Sequence, residues 1–60
     1  MNWNAQISIF SKCCVITLHD AISGMFVDDG PTTKGRHMLA EARAWCLDHG
    51  FQYDEVQEDF

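Results

Sequence analysis

The sequence predicts an α+β domain of two layers, in which one helix packs on one face of an antiparallel sheet of three or four strands, in the order β-β-β-α-β. Residues 3–9 alternate between apolar and polar side chains, and residues 13–19 are rich in β-branched ones. Between residues 34 and 49 the apolar spacing becomes helical. An apolar sheet face must be buried against another element, and the helix stripe supplies that cover.

The first three strands follow from periodicity and turn chemistry. WNAQISI (3–9) places an apolar residue at every second position, which is typical of a half-buried strand. CCVITLH (13–19) is more continuously apolar and predicts a more central strand. DAISG (20–24) has turn chemistry, and MFV (25–27) predicts a short third strand.

The predicted helix has a start signal, a stripe and a stop. DDGPTT (28–33) predicts a loop in which Thr32 or Thr33 caps a helix that runs from Lys34 to His49, with Gly35 in its first turn. The apolar stripe consists of Met38, Leu39, Ala42, Trp45 and Cys46.

The chain beyond the helix predicts one more strand. Gly50 suits the left-handed position after a helix C-terminus, with Phe51 packing back on the core. FQYDEV (51–56) then alternates weakly and predicts a short fourth strand.

Length and charge limit the classes of function. The 60 residues form a single domain, 1–60, whose small core leaves a monomer or a weak homodimer as the expected state. The formal net charge of −5 and the pI near 4.7 disfavour direct binding to nucleic acid or to an anionic membrane. The expected partner is therefore a protein with a basic surface.

The cysteines and the N-terminus indicate a reducing compartment. Three cysteines are an odd number, whereas a small secreted scaffold usually has four, six or eight. The N-terminal residues do not show the pattern of a secretory signal peptide, and apolar runs are far shorter than a membrane span. We therefore expect a cytoplasmic protein.

The sequence favours neither a metal site nor a nucleophilic cysteine. Cys46 and His49 are spaced three apart on the predicted helix and could begin a zinc site that Cys13, Cys14 and His19 would complete, but there is no CxxC motif. A Cys–His nucleophile would need a pair that lies about 20 Å apart on an extended strand. Buried structural cysteines explain these residues more simply, so the sequence predicts no enzyme, no metal and no cofactor.

The acidic residues are the main candidates for a site. Five carboxylates fall within the last thirteen residues with no Lys or Arg among them, and aromatic residues are interleaved with them. A row of such acids could occupy a groove of Lys and Arg that normally holds nucleic acid, although acidic termini often only solubilise a protein. The predicted partner-binding residues are Asp28, Asp29, Glu41, Trp45, Asp48, Tyr53, Asp54, Glu55, Glu58, Asp59 and Phe60.

In size, charge and layout the whole chain resembles the small acidic proteins that bacteriophages use against host defences. The acids of LDHGFQYDEVQEDF, with Asp28, Asp29 and Glu41, carry this resemblance to anti-CRISPR proteins of the DNA-mimic type. The resemblance implies a phage-encoded, non-catalytic inhibitor that binds the DNA-binding surface of a type I CRISPR surveillance complex in the host cytoplasm.

A second hypothesis belongs to a different class. A 60-residue chain with a marginal core could be a small structural or regulatory module. It would act by homodimerisation or by adding a strand to a partner protein through an exposed sheet edge or face.

Overall fold

In the part of the chain that the structure describes, four strands and one helix follow one another in the order that the sequence predicts. The structure is a computed structural model that describes residues 2–58. Its elements are β1 (Trp3–Ile9), β2 (Cys13–Asp20), β3 (Phe26–Lys34), α1 (Met38–Asp48) and β4 (Gln52–Gln57). The α+β class, the single helix packed on the sheet and the presence of a fourth strand are confirmed.

The sheet is mixed, so the prediction of a purely antiparallel sheet is wrong. The strand order is β3-β2-β1-β4, and β4 pairs with β1 in parallel while the other pairs are antiparallel. Two hairpins leave β3 running in the same direction as β1, and α1 then carries the chain back to the other end of the sheet. A strand that follows such a crossover must run parallel to β1.

The boundary between β3 and α1 also differs from the prediction. The third strand continues through the predicted loop to Lys34, and the helix begins only at Met38. Thr33 is a strand residue whose hydroxyl donates a 2.7 Å hydrogen bond to the Met38 carbonyl, and the helix N-cap is His37, whose side chain makes no capping bond. Gly35 lies before the helix with φ of +92°, a conformation that makes the turn between the two elements.

β3 can contain Pro31 because it lies at the edge of the sheet and is irregular. Its pairing with β2 shifts register between Val15 and Thr17 and again between Leu18 and His19. Proline lacks an N–H and is tolerated in sheets at edges and bulges. Pro31 therefore argues only against a central strand, and β3 is an edge strand.

The end of the helix is confirmed as predicted. Gly50 has φ of +74°, and its N–H donates to the Leu47 carbonyl at 3.1 Å. The Phe51 N–H donates to the Cys46 carbonyl at 2.9 Å, which completes a Schellman motif. The Phe51 ring then stacks on Trp45, with 5.8 Å between ring centroids, and sets the position from which β4 begins.

The core lies between the helix and one face of the sheet. The predicted helix stripe is confirmed, with Ala42 and Cys46 fully buried and Met38, Leu39 and Trp45 packed around them. The buried apolar residues are Ala5, Ile7, Cys14, Ile16, Leu18, Ala42 and Cys46. The opposite face of the sheet has no helix over it among the residues that the structure describes, and we call it the open face.

Candidate interaction surface

The open face carries a row of four polar side chains that crosses the whole sheet. Gln6 of β1 lies opposite Thr17 of β2 on one side and Asp54 of β4 on the other. Thr17 in turn lies opposite Asp29 of β3. With about 4.8 Å between neighbouring strands, the two carboxylates at the ends of the row are separated by about 14 Å.

β4 divides the C-terminal acids between the two faces of the sheet. Asp54 shares the open face with Gln6, while Glu55 points to the helix side, because side chains alternate along a strand. There Arg43 donates a hydrogen bond of 2.8 Å from Nη2 to Glu55 Oε1 and forms a second from Nε. The Arg43 guanidinium lowers the pKa of Glu55. The last thirteen residues contain no Lys or Arg, but the helix supplies Arg43 as a counter-charge for Glu55, which therefore does not lie in one row with Asp54.

The aspartates that the structure describes all lie in one half of the molecule, and we call this half the acidic half. It comprises the start of β1, the end of β2, the start of β3, the end of α1 and the start of β4, which the register and the turns bring together. Its acids are Asp20, Asp28, Asp29, Asp48 and Asp54. Asp20 and Asp54 line one cleft of about 220 Å³ together with Asn4 and His19.

The basic residues lie elsewhere. Lys12 is in the turn between β1 and β2, and Lys34 and Arg36 are at the end of β3 and in the turn that follows it, all at the opposite end of the sheet. The fourth base, Arg43, is paired with Glu55. Within residues 2–58 the acidic half thus contains no Lys or Arg, so its negative field is not cancelled locally.

The tip of the β2–β3 hairpin, residues 21–27, presents apolar side chains within the acidic half. Ile22 is 89% exposed, Met25 70% and Phe26 58%, and Val27 is also exposed. Isolated exposed apolar residues are ordinary, whereas four within six residues of one hairpin tip indicate a candidate interaction site.

A network of hydrogen bonds shapes the hairpin tip. Asp20 Oδ1 accepts hydrogen bonds from the Ser23 N–H at 2.9 Å and the Ile22 N–H at 2.8 Å, and these bonds lower the pKa of Asp20. Gly24, with φ of +77°, donates its N–H to the Asp20 carbonyl at 2.8 Å. Asp20 therefore organises the turn that carries the exposed side chains.

His19 contacts both the hairpin tip and a side chain of the open face. Its Nε2 lies 2.8 Å from Thr17 Oγ1, and its Nδ1 lies 3.3 Å from the Gly24 carbonyl oxygen. Its ring also packs edge-on against Phe26, with 6.0 Å between centroids. The exposed Phe26 ring is thereby held in place on one side and open to solvent on the other.

The predicted site residues are divided by the fold. Asp28, Asp29, Asp48 and Asp54 come together in the acidic half, whereas Glu41 is in the first turn of α1 and Glu58 lies at the far end of the sheet beside Ile9. The aromatic candidates Trp45 and Tyr53 are half-buried against the core. Asp59 and Phe60 lie outside the described residues.

The hairpin tip was not among the predicted site residues. The apolar character of MFV (25–27) predicts a strand, and the signal that could have identified an exposed tip is the position of three consecutive apolar residues directly after a turn. Of these, Met25 precedes the strand, and Phe26 and Val27 begin it.

The cysteines and histidines do not come together as a metal or nucleophile site would require. Cys14 and Cys46 are fully buried, and burial raises the pKa of both thiols. His49 lies on Trp45, with Nδ1 2.8 Å from its carbonyl oxygen and the rings stacked at 4.1 Å. Cys13 and His19 lie at opposite ends of the same extended strand. Among residues 2–58, no group of three or more His, Cys, Asp or Glu residues is arranged to hold a metal ion.

Comparisons with known proteins add no relative. No protein-family model matches the chain, and neither a curated protein nor a solved structure matches it. In the part of the chain that the structure describes, no helix has the length and apolar character needed to span a bilayer.

Proposed function

We propose that this protein is a non-catalytic inhibitor that acts in the cytoplasm by binding a basic, nucleic-acid-binding surface of a partner protein. The observation that carries the proposal is the separation of charge. Five aspartates share one half of the molecule with an exposed apolar hairpin tip, while three of the four bases lie at the other end.

The two components of this surface would have different roles. The uncancelled field of the acidic half attracts a basic partner over a long range and raises the association rate. The exposed side chains of Ile22, Met25 and Phe26 supply apolar area that is buried only on contact, and apolar side chains of this kind slow dissociation. Affinity should therefore depend on salt through the acids and much less through the hairpin tip.

The resemblance to anti-CRISPR proteins suggests a particular target. On that basis the partner surface is the DNA-binding groove of a type I CRISPR surveillance complex, which is lined with Lys and Arg because it holds a phosphate backbone. The acidic half would cover part of that groove and exclude DNA.

The experiment measures competition with DNA. Purified type I surveillance complexes are titrated with the protein at low and at moderate salt, and binding of double-stranded target DNA is followed. The test variant, Asp28→Asn with Asp29→Asn, removes two charges from the acidic half. The control variant, Glu41→Gln with Glu58→Gln, removes two charges outside it.

We expect the unaltered protein to inhibit DNA binding, the aspartate variant to inhibit more weakly and with less salt dependence, and the glutamate variant to retain both. Equal losses in the two variants would show that only net charge matters. Absence of inhibition by the unaltered protein would contradict the proposed target.

A further inference from the structure

The two edges of the sheet differ in how readily they could accept another strand. At one edge, β3 has two register shifts and contains Pro31, and both features protect an edge against pairing. At the other edge, β4 pairs with β1 without any register shift from Gln52 to Gln57 and contains neither Pro nor Gly. A regular strand at an exposed edge is a template for strand addition.

One hydrogen bond identifies which backbone groups of β4 face outward. The Glu58 N–H donates to the Ile9 carbonyl at 2.9 Å, so even-numbered residues of this segment bond to β1. Backbone groups alternate in direction along a strand. Tyr53, Glu55 and Gln57 therefore direct their N–H and C=O groups away from the sheet, where the described residues place no neighbouring strand.

We infer that the outer edge of β4 binds an extended, basic segment of a partner protein, which joins the sheet as a strand antiparallel to β4. The antiparallel direction is chosen because its ladder is more stable per residue. The three outward residues would each exchange a pair of backbone hydrogen bonds with alternate residues of the added strand.

The charges on β4 indicate the side chains of that segment. On the open face, Asp54 has a basic residue as its complement in the facing strand, since opposite charges directly across a ladder are stabilising. On the helix side, Glu55 is already paired with Arg43, so the facing position needs no charge. The expected pattern is alternation, with Lys or Arg facing Asp54 on the open face, where Gln52 and Val56 carry no charge, and apolar residues facing the odd-numbered residues of β4.

The same charges disfavour a second copy of this chain as the added strand. Antiparallel self-pairing centred on Glu55 would place two Glu55 residues directly opposite each other. Like charges in that position are destabilising. A basic heterologous strand has no such conflict.

The probe is a synthetic six-residue peptide of alternating lysine and valine with blocked termini, added to the intact protein. At saturation we expect the exchange of the Tyr53, Glu55 and Gln57 amides with solvent to slow by about ten-fold or more, while those of Asp54 and Val56 are already protected by β1. A peptide of alternating glutamate and valine is the control and should not bind.

Backbone methylation tests the geometry itself. With lysines facing Asp54 and its even-numbered neighbours, only the valine N–H groups point at β4. Methylating the valine nitrogens should abolish binding, and methylating the lysine nitrogens should leave it within about two-fold, since those groups face solvent. Equal loss with both peptides, or protection of β3 amides instead, would overturn the inference.

Two further measurements separate this inference from its alternatives. Sedimentation of the protein alone should show a monomer, and a dimer whose β4 amides are protected would mean that a second copy occupies the edge. The inference does not depend on the proposed inhibition: the variant carrying Asp28→Asn and Asp29→Asn should bind the peptide within about two-fold at moderate salt, where the long-range field is screened, because both changes lie on the opposite edge strand. Loss of peptide binding in that variant would contradict edge addition.

Discussion

The two faces of the sheet are built from the same strands but have opposite characters. On the helix side, Ile7, Ile16 and Cys14 are wholly excluded from solvent. On the open face, the same strands present Gln6, Thr17 and other polar side chains, and the edge strands contribute Asp29 and Asp54. Because alternation separates the two sets, a small protein can stabilise its fold with one face and keep the other for recognition.

The largest effect should come from the helix side. Ile16→Ala removes a fully buried side chain from the centre of the core and should lower the free energy of unfolding by about 2–5 kcal/mol. Its neighbour Val15 lies on the open face and is half-buried, so Val15→Ala should cost about 1 kcal/mol or less. Urea unfolding followed by tryptophan fluorescence measures both.

If Ile16→Ala leaves no folded protein, Ile16→Val gives the same comparison on a smaller scale, with an expected loss of about 0.5–1.5 kcal/mol. Equal losses at Val15 and Ile16 would mean that the open face is covered in solution. That result would contradict the contrast between the two faces.

A smaller effect is expected at Gly30, where β3 lies against Ile16 of the core. A Cβ added to Gly30 would lie 2.9 Å from Ile16 Cγ2 and 3.1 Å from the Ile16 carbonyl oxygen. Gly30→Ala should therefore destabilise the protein by about 1–3 kcal/mol through overpacking. The measurement is the urea midpoint.

A double-mutant cycle tests the cause of this loss. In the Ile16→Ala background the Cγ2 contact is gone, so the cost of Gly30→Ala should become smaller. An unchanged cost would attribute the loss to the Cβ and the carbonyl oxygen of residue 16, which alanine retains, rather than to Cγ2.

Periodicity predicted the elements of this fold but not their bounds around β3. The alternation of β1 and the stripe of α1 are strong signals because each buries one face, and the Gly50 stop depends on a backbone conformation that glycine favours. The middle of β3 was not predicted, because Gly30 and Pro31 are not typical of a central strand. β3 can contain them because it lies at the edge of the sheet, and that position depends on the tertiary fold rather than on the local sequence.

The candidate site was predicted only in part, because it depends on which residues the sheet brings together. Asp54 is distant in sequence from Asp20 and Asp28, and the half of the molecule that they share follows from the register. The Arg43–Glu55 pair joins residues that are twelve apart in sequence, one on a helix and one on a strand. Local sequence patterns do not predict how that helix and that strand lie relative to each other. The weak alternation of β4 does not indicate its direction, which follows instead from the element order and the helical crossover.

Loss of the ion pair should have a smaller effect, and one that depends on pH. Both side chains are partly exposed, at 45% for Arg43 and 30% for Glu55, so solvent screens the pair. Because the pKa of Glu55 is lower in the folded state, its stabilising contribution is present above the unfolded pKa and is lost as pH falls through the folded pKa. Glu55→Gln should therefore reduce the urea midpoint slightly at pH 7. At a pH low enough to protonate Glu55 in both the folded and the unfolded state, the variant and the unaltered protein should have the same midpoint. If the two proteins instead differ in urea midpoint by the same amount at every pH, the loss comes from packing and not from the ion pair.

The smallest effect is expected one residue earlier, at Asp54. It is exposed on the open face, and the described residues include no ion-pair partner for it. Asp54→Asn should change the free energy of unfolding by no more than about 0.5 kcal/mol. In the peptide titration, however, the same change should weaken binding, because the lysine that faces this position loses its complementary charge. Adjacent carboxylates would then report separately on the two faces, Glu55 on stability and Asp54 on recognition. A stability loss at Asp54 as large as that at Glu55 would show that the open face also supports the fold.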